Sequence, residues 1–257
     1  KVLISNDDGV DSEGLKILYE HLKRICKVFV IAPSQNQSGA GSSISTKRPL
    51  STFKNSDGFI GVNGTPVDCV HLGLNGLCPF KPDLIVSGIN YGANMAEDLL
   101  YSGTVGAALE GKDLPLPCIA ISAAAYSQPG NKYNELKPNF SSAALVTKSL
   151  VECIGRLSID STVTLNVNVP NLSFDEIEHT KITTLGSWGP RNPPLRETNS
   201  KGEDKFWITH RDKVPKNTEE TDIATLARGS VSITPIISNF KVAENANILK
   251  DWVDNIF

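Results

Sequence analysis

The sequence contains no run of about eighteen consecutive apolar residues, so no part of it reads as a membrane-spanning helix. A secretory leader is not suggested either, because Lys1 runs straight into the short apolar stretch Val2-Leu3-Ile4 with no long apolar segment behind a charged one. Cysteine is sparse. Cys26, Cys69, Cys78, Cys118 and Cys153 are odd in number, widely spaced and without a C-x-x-C pair, which argues against a disulfide framework or a thiolate zinc site. A cytoplasmic protein with reduced, mostly buried thiols is expected. Charge of one sign is lacking as well: the formal net charge is -3, with both signs spread along the chain, so there is no electrostatic footprint for a nucleic-acid polymer or an anionic membrane. Any anionic ligand must be held locally. Three catalytic signatures are missing: the G-x-x-x-x-G-K-[ST] phosphate loop, the G-x-S-x-G elbow and an Asp-x-Asp nucleophile motif.

With 257 residues, 40% hydrophobic and 21% charged, the chain is long enough to bury one large core as a single domain. Its first half alternates β-branched runs with helical patterns, which predicts an α/β fold: a three-layer core over residues 1–160, a mostly parallel sheet covered by helices on both faces. Strands are expected at 2–5, 27–32, 83–87 and 118–122. Leu15, Leu18, Leu22 and Ile25 recur at spacings of three and four and predict a helix over 12–25. Thr65, Pro66 and Asp68 form a start signal for a helix through 77. Helices are also expected at 104–111 and 141–154. A strand-like alternation at 162–169 is followed by a polar, Pro-bearing projecting arm at about 180–216, with an isolated strand signal at Phe206-Trp207-Ile208. A terminal helix at about 240–257 carries Ile248, Trp252 and Ile256 on one stripe and could dock on a partner subunit or on its own core.

The chemistry concentrates after the strands. Asn6-Asp7-Asp8-Gly9 follows strand one, at the sheet edge where open α/β folds place ligands. Two adjacent carboxylates repel unless neutralised, and a hard oxygen-seeking cation such as Mg²⁺ or Mn²⁺ would do so; an ordinary strand-to-helix turn uses the same residue types. The loop Gln37-Ser38-Gly39-Ala40-Gly41-Ser42-Ser43 emerges at the same edge and offers a hydroxyl, or else is a flexible linker. As a dinucleotide fingerprint it fails, since Ile44 stands at the last glycine and the loop follows strand two. In Ser87-Gly88-Ile89-Asn90-Tyr91-Gly92-Ala93-Asn94, Asn90 offers a carbonyl oxygen to a cation and Asn94 an amide to a phosphate or sugar. Ser102, Gly103 and Thr104 open a helix, where free N–H groups and hydroxyls favour an anion or simply cap the helix. Four such loops at one sheet edge place a cation site beside an anion site, which suits phosphoryl chemistry. None of them holds His, Cys or Lys, so no base is at hand to activate a serine; a metal-activated water is the expected nucleophile, with Ser38 its only rival.

At these residues the sequence resembles the SurE family, the stationary-phase survival protein nucleotidases. The matching stretches are Leu3-Ile4-Ser5-Asn6-Asp7-Asp8-Gly9-Val10, Ala32-Pro33-Ser34-Gln35-Asn36-Gln37-Ser38-Gly39, Gly64-Thr65-Pro66-Val67-Asp68-Cys69-Val70, Val86-Ser87-Gly88-Ile89-Asn90 and Tyr101-Ser102-Gly103-Thr104-Val105, with a weaker match at Thr221-Asp222 and Ser232-Ile233-Thr234-Pro235. The resemblance implies a Rossmann-like core and a metal-dependent phosphatase acting on nucleoside 5′- and 3′-monophosphates. It implies one divalent ion per subunit (Mg²⁺ or Mn²⁺), held by Asp7, Asp8, Ser38 and Asn90, with Asp7 and Asp8 catalytic. Asn94, Ser102, Gly103 and Thr104 would lie on the phosphate side. Homodimers or homotetramers that exchange a hairpin and C-terminal elements are implied too. Asp11-Ser12-Glu13, Ala224 and the poorly matching stretch 188–209 depart from the family pattern. A metal-dependent transferase, or a non-enzymatic nucleotide or phosphate sensor, would use the same loops.

Overall fold

The computed structural model describes residues 1–125, 136–208 and 218–238. Its centre is a nine-stranded, mostly parallel sheet, whose inner strands β1, β5 and β6 are largely apolar runs buried on both faces and therefore read as continuous rather than alternating hydrophobics. In chain order the elements are β1 (Val2–Ser5), α1 (Glu13–Leu22), β2 (Val28–Pro33), β3 (Thr52–Lys54), β4 (Ile60–Val62), α2 (Pro66–Leu72), β5 (Leu84–Tyr91), α3 (Gly103–Leu109), β6 (Cys118–Ala123), α4 (Phe140–Cys153), β7 (Val163–Val169), β8 (Thr180–Ile182), β9 (Leu195–Thr198), β10 (Asp204–Trp207), α5 (Asp222–Ala227) and β11 (Val231–Ile237). The strand order is β3-β4-β2-β1-β5-β6-β7-β11-β8. β3 and β11 run antiparallel to β4 and β7, and the other pairings in this sheet are parallel.

Alternate residues of the strands feed two separate cores. Val2, Ile4, Val86, Ile119 and Ile121 pack with Leu15, Leu18 and Leu22 of α1 and with Phe140, Ala143 and Ala144 of α4. Leu3, Ile31, Ile85 and Ala120 pack with Cys69 and Val70 of α2 and with Val105, Ala107 and Ala108 of α3. The three-layer, Rossmann-like reading of the sequence is thus realised. Each fully buried leucine of α1 contributes about 1.5–3 kcal/mol of apolar burial.

Element ends differ in instructive ways. α1 stops at Leu22 rather than reaching 25, because the N–H groups of Ile25 and Cys26 turn back onto the Leu22 carbonyl. α2 begins with the expected capping box: the Thr65 hydroxyl accepts from the Asp68 N–H while the Asp68 carboxylate accepts from the Thr65 N–H. It gives way at Gly73 to a wider turn, Gly73–Leu77, in which Gly76 is extended rather than helical. The short hairpin β3–β4 closes on Asn55, whose Oδ1 accepts from Asp57 and Phe59. Within the stretch expected as an arm, Thr180–Ile182 pairs with β11 inside the main sheet, and among the described residues β9 and β10 form a separate antiparallel hairpin. The terminal helix expected at about 240–257 lies outside the described residues. All five cysteines are free, but only Cys69 and Cys118 are buried, which corrects the expectation that most would be.

The order of strands fixes where function can sit. From β1 the chain moves outward to β2 and returns on the other side of β1 as β5, so the connections leaving β1 and β5 diverge and open a crevice at their carboxyl ends. α1 approaches this crevice closely: a Cβ on Gly14 would stand 2.3 Å from the Ile89 carbonyl oxygen of β5 and 3.1 Å from the Phe140 ring of α4. Gly14→Ala is accordingly expected to push α1 off the sheet, lowering stability by about 1–3 kcal/mol and the melting temperature by several degrees; an unchanged thermal melt would contradict the seating of α1.

Candidate active site

Every loop at the crevice is tied to Asp7 or Asp8. β1 ends in Asn6, whose side-chain amide donates to the Gly9 carbonyl (3.1 Å) and to Ser12 Oγ (2.7 Å), folding the turn that carries both aspartates. Gly9 takes φ +109°, open to glycine and strained for other residues, and brings the turn against Gln35. The Asp7 carbonyl accepts from the Gln37 N–H at 2.7 Å, which draws in the loop bearing Ser38. The Asp8 carboxylate accepts from the Tyr91 N–H at 3.0 Å, which draws in the end of β5. The Asp7 carboxylate accepts from the Thr104 hydroxyl at 2.5 Å and lies against the first turn of α3, where a Cβ on Gly103 would meet Asp7 Cβ at 2.8 Å.

β5 reaches this point through a bulge. Ser87 pairs with Ala120 and Asn90 with Ser122, so β5 carries one residue more than β6 between the two pairs. At the far side of the bulge, Asn90 commits its amide nitrogen to the Gly92 carbonyl (2.8 Å), leaving Oδ1 as an acceptor or cation ligand. Ser38 is exposed, with its N–H held by Asn36 Oδ1 at 2.8 Å and its hydroxyl outside any described hydrogen bond. Two carboxylates, an amide carbonyl and a hydroxyl are thereby offered by the loops of one crevice. All are oxygen donors suited to a hard cation. Among the described residues no three His, Cys, Asp or Glu side chains cluster as a metal site of another kind.

The electrostatics agree with that donor set. Burial pushes the Asp7 carboxyl above the usual carboxylate range, even though the Thr104 hydroxyl and the N–H groups of Gly103 and Thr104 pull it the other way. Burial pushes Asp8 up to about 6, repulsion from Asp7 adds to this, and the Tyr91 N–H offsets part of it. No cationic side chain among the described residues contributes to either shift. A pair this close, buried and without a cation to offset it favours protonation, and a divalent ion would reverse the preference.

On the anion side the donors are held as follows. The Thr104 hydroxyl donates to Asp7. Ser102 caps α3 by accepting from the Val105 N–H at 3.1 Å, which leaves its own O–H to donate. Asn94 is buried: one N–H of its side chain donates to Ser122 Oγ (3.0 Å), and a second remains. Its backbone is clamped from β7, with Asn168 Oδ1 accepting from the Asn94 N–H (2.8 Å) and the amides of Asn166 and Asn168 donating to the Asn94 carbonyl (3.0 and 2.9 Å). Asn166 and Asn168 were missed in the sequence, although two amides on an otherwise buried strand were a signal.

Asp222 was noted in the sequence only for its family match. It is fully buried and accepts from the N–H groups of Ala96, Gly186 and Ile223, which ties the segment after Asn94 to the C-terminal part of the sheet. His71 pairs with Glu110, His21 bonds to the Ile17 carbonyl and His179 lies by Glu178; none of the three joins the site. His210 falls outside the described residues.

Since a cation requires both carboxylates ionised, its affinity must fall as they protonate. For a carboxylate whose pKa is raised by folding, the cation-free protein is stabilised by protonation, and that stability is lost as pH climbs from about 4 to about 6. Mn²⁺ affinity, measured by calorimetric titration, is therefore expected to be level above pH 7 and to drop toward about tenfold per pH unit below about pH 6. Affinity that stays constant between pH 5 and 7 would contradict the assignment.

Residues 2–192 match the family described as Survival protein SurE. The chain is 41% identical over 256 residues to the 5'-nucleotidase SurE of Stutzerimonas stutzeri (strain A1501), covering 100% of this chain and 99% of that protein. It is 40% identical over 257 residues to the 5'-nucleotidase SurE of Ectopseudomonas mendocina (strain ymp), covering 100% of both. The crystal structure of the SurE protein from Aquifex aeolicus superposes with a TM-score of 0.80 at 36% identity, over 97% of each chain.

Proposed function

Because the chain belongs to the SurE family, we propose that its nucleotidase activity is metal-dependent and runs at the Asp7–Asp8 crevice. The protein is a hydrolase of nucleoside monophosphates; the finer reading is that it takes both 5′- and 3′-monophosphates, releasing nucleoside and phosphate with water as the nucleophile. One observation carries this reading: two adjacent, largely buried carboxylates sit at the sheet's switch point with no cationic side chain among the described residues to offset them, and one of them rests in the first turn of a helix that favours anions.

In this proposal Asp7, Asp8, Ser38 and Asn90 hold one Mg²⁺ or Mn²⁺, and Asp7 and Asp8 are the catalytic pair. When bound, such an ion polarises a phosphate oxygen and acidifies water. The chain's own part is placement. The Ser102 hydroxyl and the remaining N–H of Asn94 donate to phosphate oxygens, and the first turn of α3, with Gly103 bare of a side chain, gives them a positive dipole end to face. Thr104 acts one step back, fixing the carboxylate of Asp7. Asn166 and Asn168 fix Asn94 through its backbone.

Oligomerisation is part of the same proposal. The β9–β10 hairpin stands apart from the sheet and exposes Leu195, Phe206 and Trp207, with the adjoining Ile208 at 82%, which is apolar surface that a second copy of the chain would cover. No helix among the described residues is long and apolar enough to cross a membrane. Together with five free cysteines this supports, as a proposal, a cytoplasmic location.

Phosphate release from a panel of nucleoside 5′- and 3′-monophosphates is expected with added Mn²⁺ or Mg²⁺ and to vanish with chelator. Rapid quench during turnover should find no phosphorylated enzyme, because water attacks the phosphate directly in this reading. A phosphorylated Ser38 trapped at a rate matching turnover would overturn the water route.

A further inference from the structure

A cavity of about 350 Å³ opens beside Asp8 and Ser38, and the rest of its lining, which includes Glu13, Asn36, Tyr91, Lys137 and Phe140, has no part in the cation and phosphate scheme above. It lies within the size range of small-molecule sites. One wall is aromatic. Phe140 is nearly buried, and Tyr91 stands edge-on to it, with ring centroids 6.3 Å apart and an interplanar angle of 64°. Tyr91 is the more informative of the two. Its N–H is bound to the Asp8 carboxylate, so the ring is anchored next to the reacting end of the crevice, yet the residue is 47% exposed. An aromatic ring held in place with an open face suits a planar partner, and base-on-aromatic stacking tolerates any base. The opposite rim is polar: Asn36 lines it with Glu13 and Lys137, which pair at 2.8 Å.

We propose that this cavity seats the nucleoside half of the substrate, with the base stacked on the Tyr91 ring and the sugar and base-edge polar groups facing Asn36 and the Glu13–Lys137 pair. The proposal rests on the phosphatase reading above and deepens it. It makes the pocket a source of preference for nucleotides over aliphatic phosphomonoesters. The stacking surface carries no base-specific donors, so the preference concerns a ring, not a particular base.

The test compares kcat/KM for adenosine 5′-monophosphate with that for glycerol 2-phosphate in the intact protein with Mn²⁺, for the parent chain, Tyr91→Leu and Tyr91→Phe. Leucine keeps apolar bulk and loses the ring; phenylalanine keeps the ring and loses the hydroxyl. The parent is expected to prefer the nucleotide, Tyr91→Leu to shrink that preference by roughly tenfold through a higher KM for the nucleotide, and Tyr91→Phe to retain it. If Tyr91→Leu lowers both substrates in proportion, or neither, the nucleoside does not stack there and the proposal falls while the phosphatase reading stands. If Tyr91→Phe loses the preference as fully as Tyr91→Leu, stacking is overturned in favour of the hydroxyl. Release of phosphate from neither compound by the parent would overturn both readings.

Discussion

The seat of Asp7 in the first turn of α3 is the constraint on which the rest of the site depends. A carboxylate with 3% of its residue exposed is expensive to ionise, and this one is held by the Thr104 hydroxyl and the N–H groups of Gly103 and Thr104. The contact is possible only because residue 103 has no side chain, since a Cβ there would overlap Asp7 itself. It joins β1 to the helix between β5 and β6, while the backbone of the same residue joins β1 to the loop after β2. Three of the four loops at the crevice are registered to one another through this single buried acid, and Asp8 draws in the fourth, at the end of β5. Its cost in burial and in repulsion from Asp8 makes the arrangement receptive to a cation.

A second layer of polar contacts positions the anion side without touching it. Asn166 and Asn168 grip the backbone of Asn94, and Asn166 Oδ1 is left buried without a partner, a local cost of about 1–3 kcal/mol in a strand that would pack more simply with apolar residues. Asp222 grips Ala96, which has φ +50°, and Gly186. The segment that follows Gly186 closes over the same loop: the Trp188 indole donates to the Met95 carbonyl at 3.1 Å, and Arg191 lies 4.8 Å from the centroid of the Tyr101 ring. The base of the hairpin is thereby continuous with the wall of the crevice.

Much of this was legible in the sequence because it is local. Val2–Ser5 and the three leucines of α1 announce themselves by composition and spacing, and Thr65, Pro66 and Asp68 by their capping chemistry. The candidates Asp7, Asp8, Ser38 and Asn90 could be named because each follows a strand of one sheet, and the structure brings their loops to one crevice. What escaped depends on partners distant in the chain. β3 and β4 are short and carry polar or glycine residues, so their strand character comes from pairing with β2. β11 contains Pro235 and becomes a strand by lying against β7 and β8. The bond from the Thr104 hydroxyl to Asp7, 97 residues earlier in the chain, could not be read from the helix start that Thr104 belongs to.

The central claim is that the buried pair exists to hold a cation, and Asp7→Asn tests it most directly. Asparagine keeps an oxygen for Thr104 while removing one of the two charges. Thermal melts at pH 7.5, with and without Mn²⁺, together with phosphate release from a nucleoside monophosphate, read both sides of the claim. The account predicts that the cation-free variant melts at a higher temperature than the parent, that added Mn²⁺ raises the melting temperature of the parent but not of the variant, and that the variant releases no phosphate. A variant stabilised by Mn²⁺ as strongly as the parent, and turning over at the parent's rate, would contradict it.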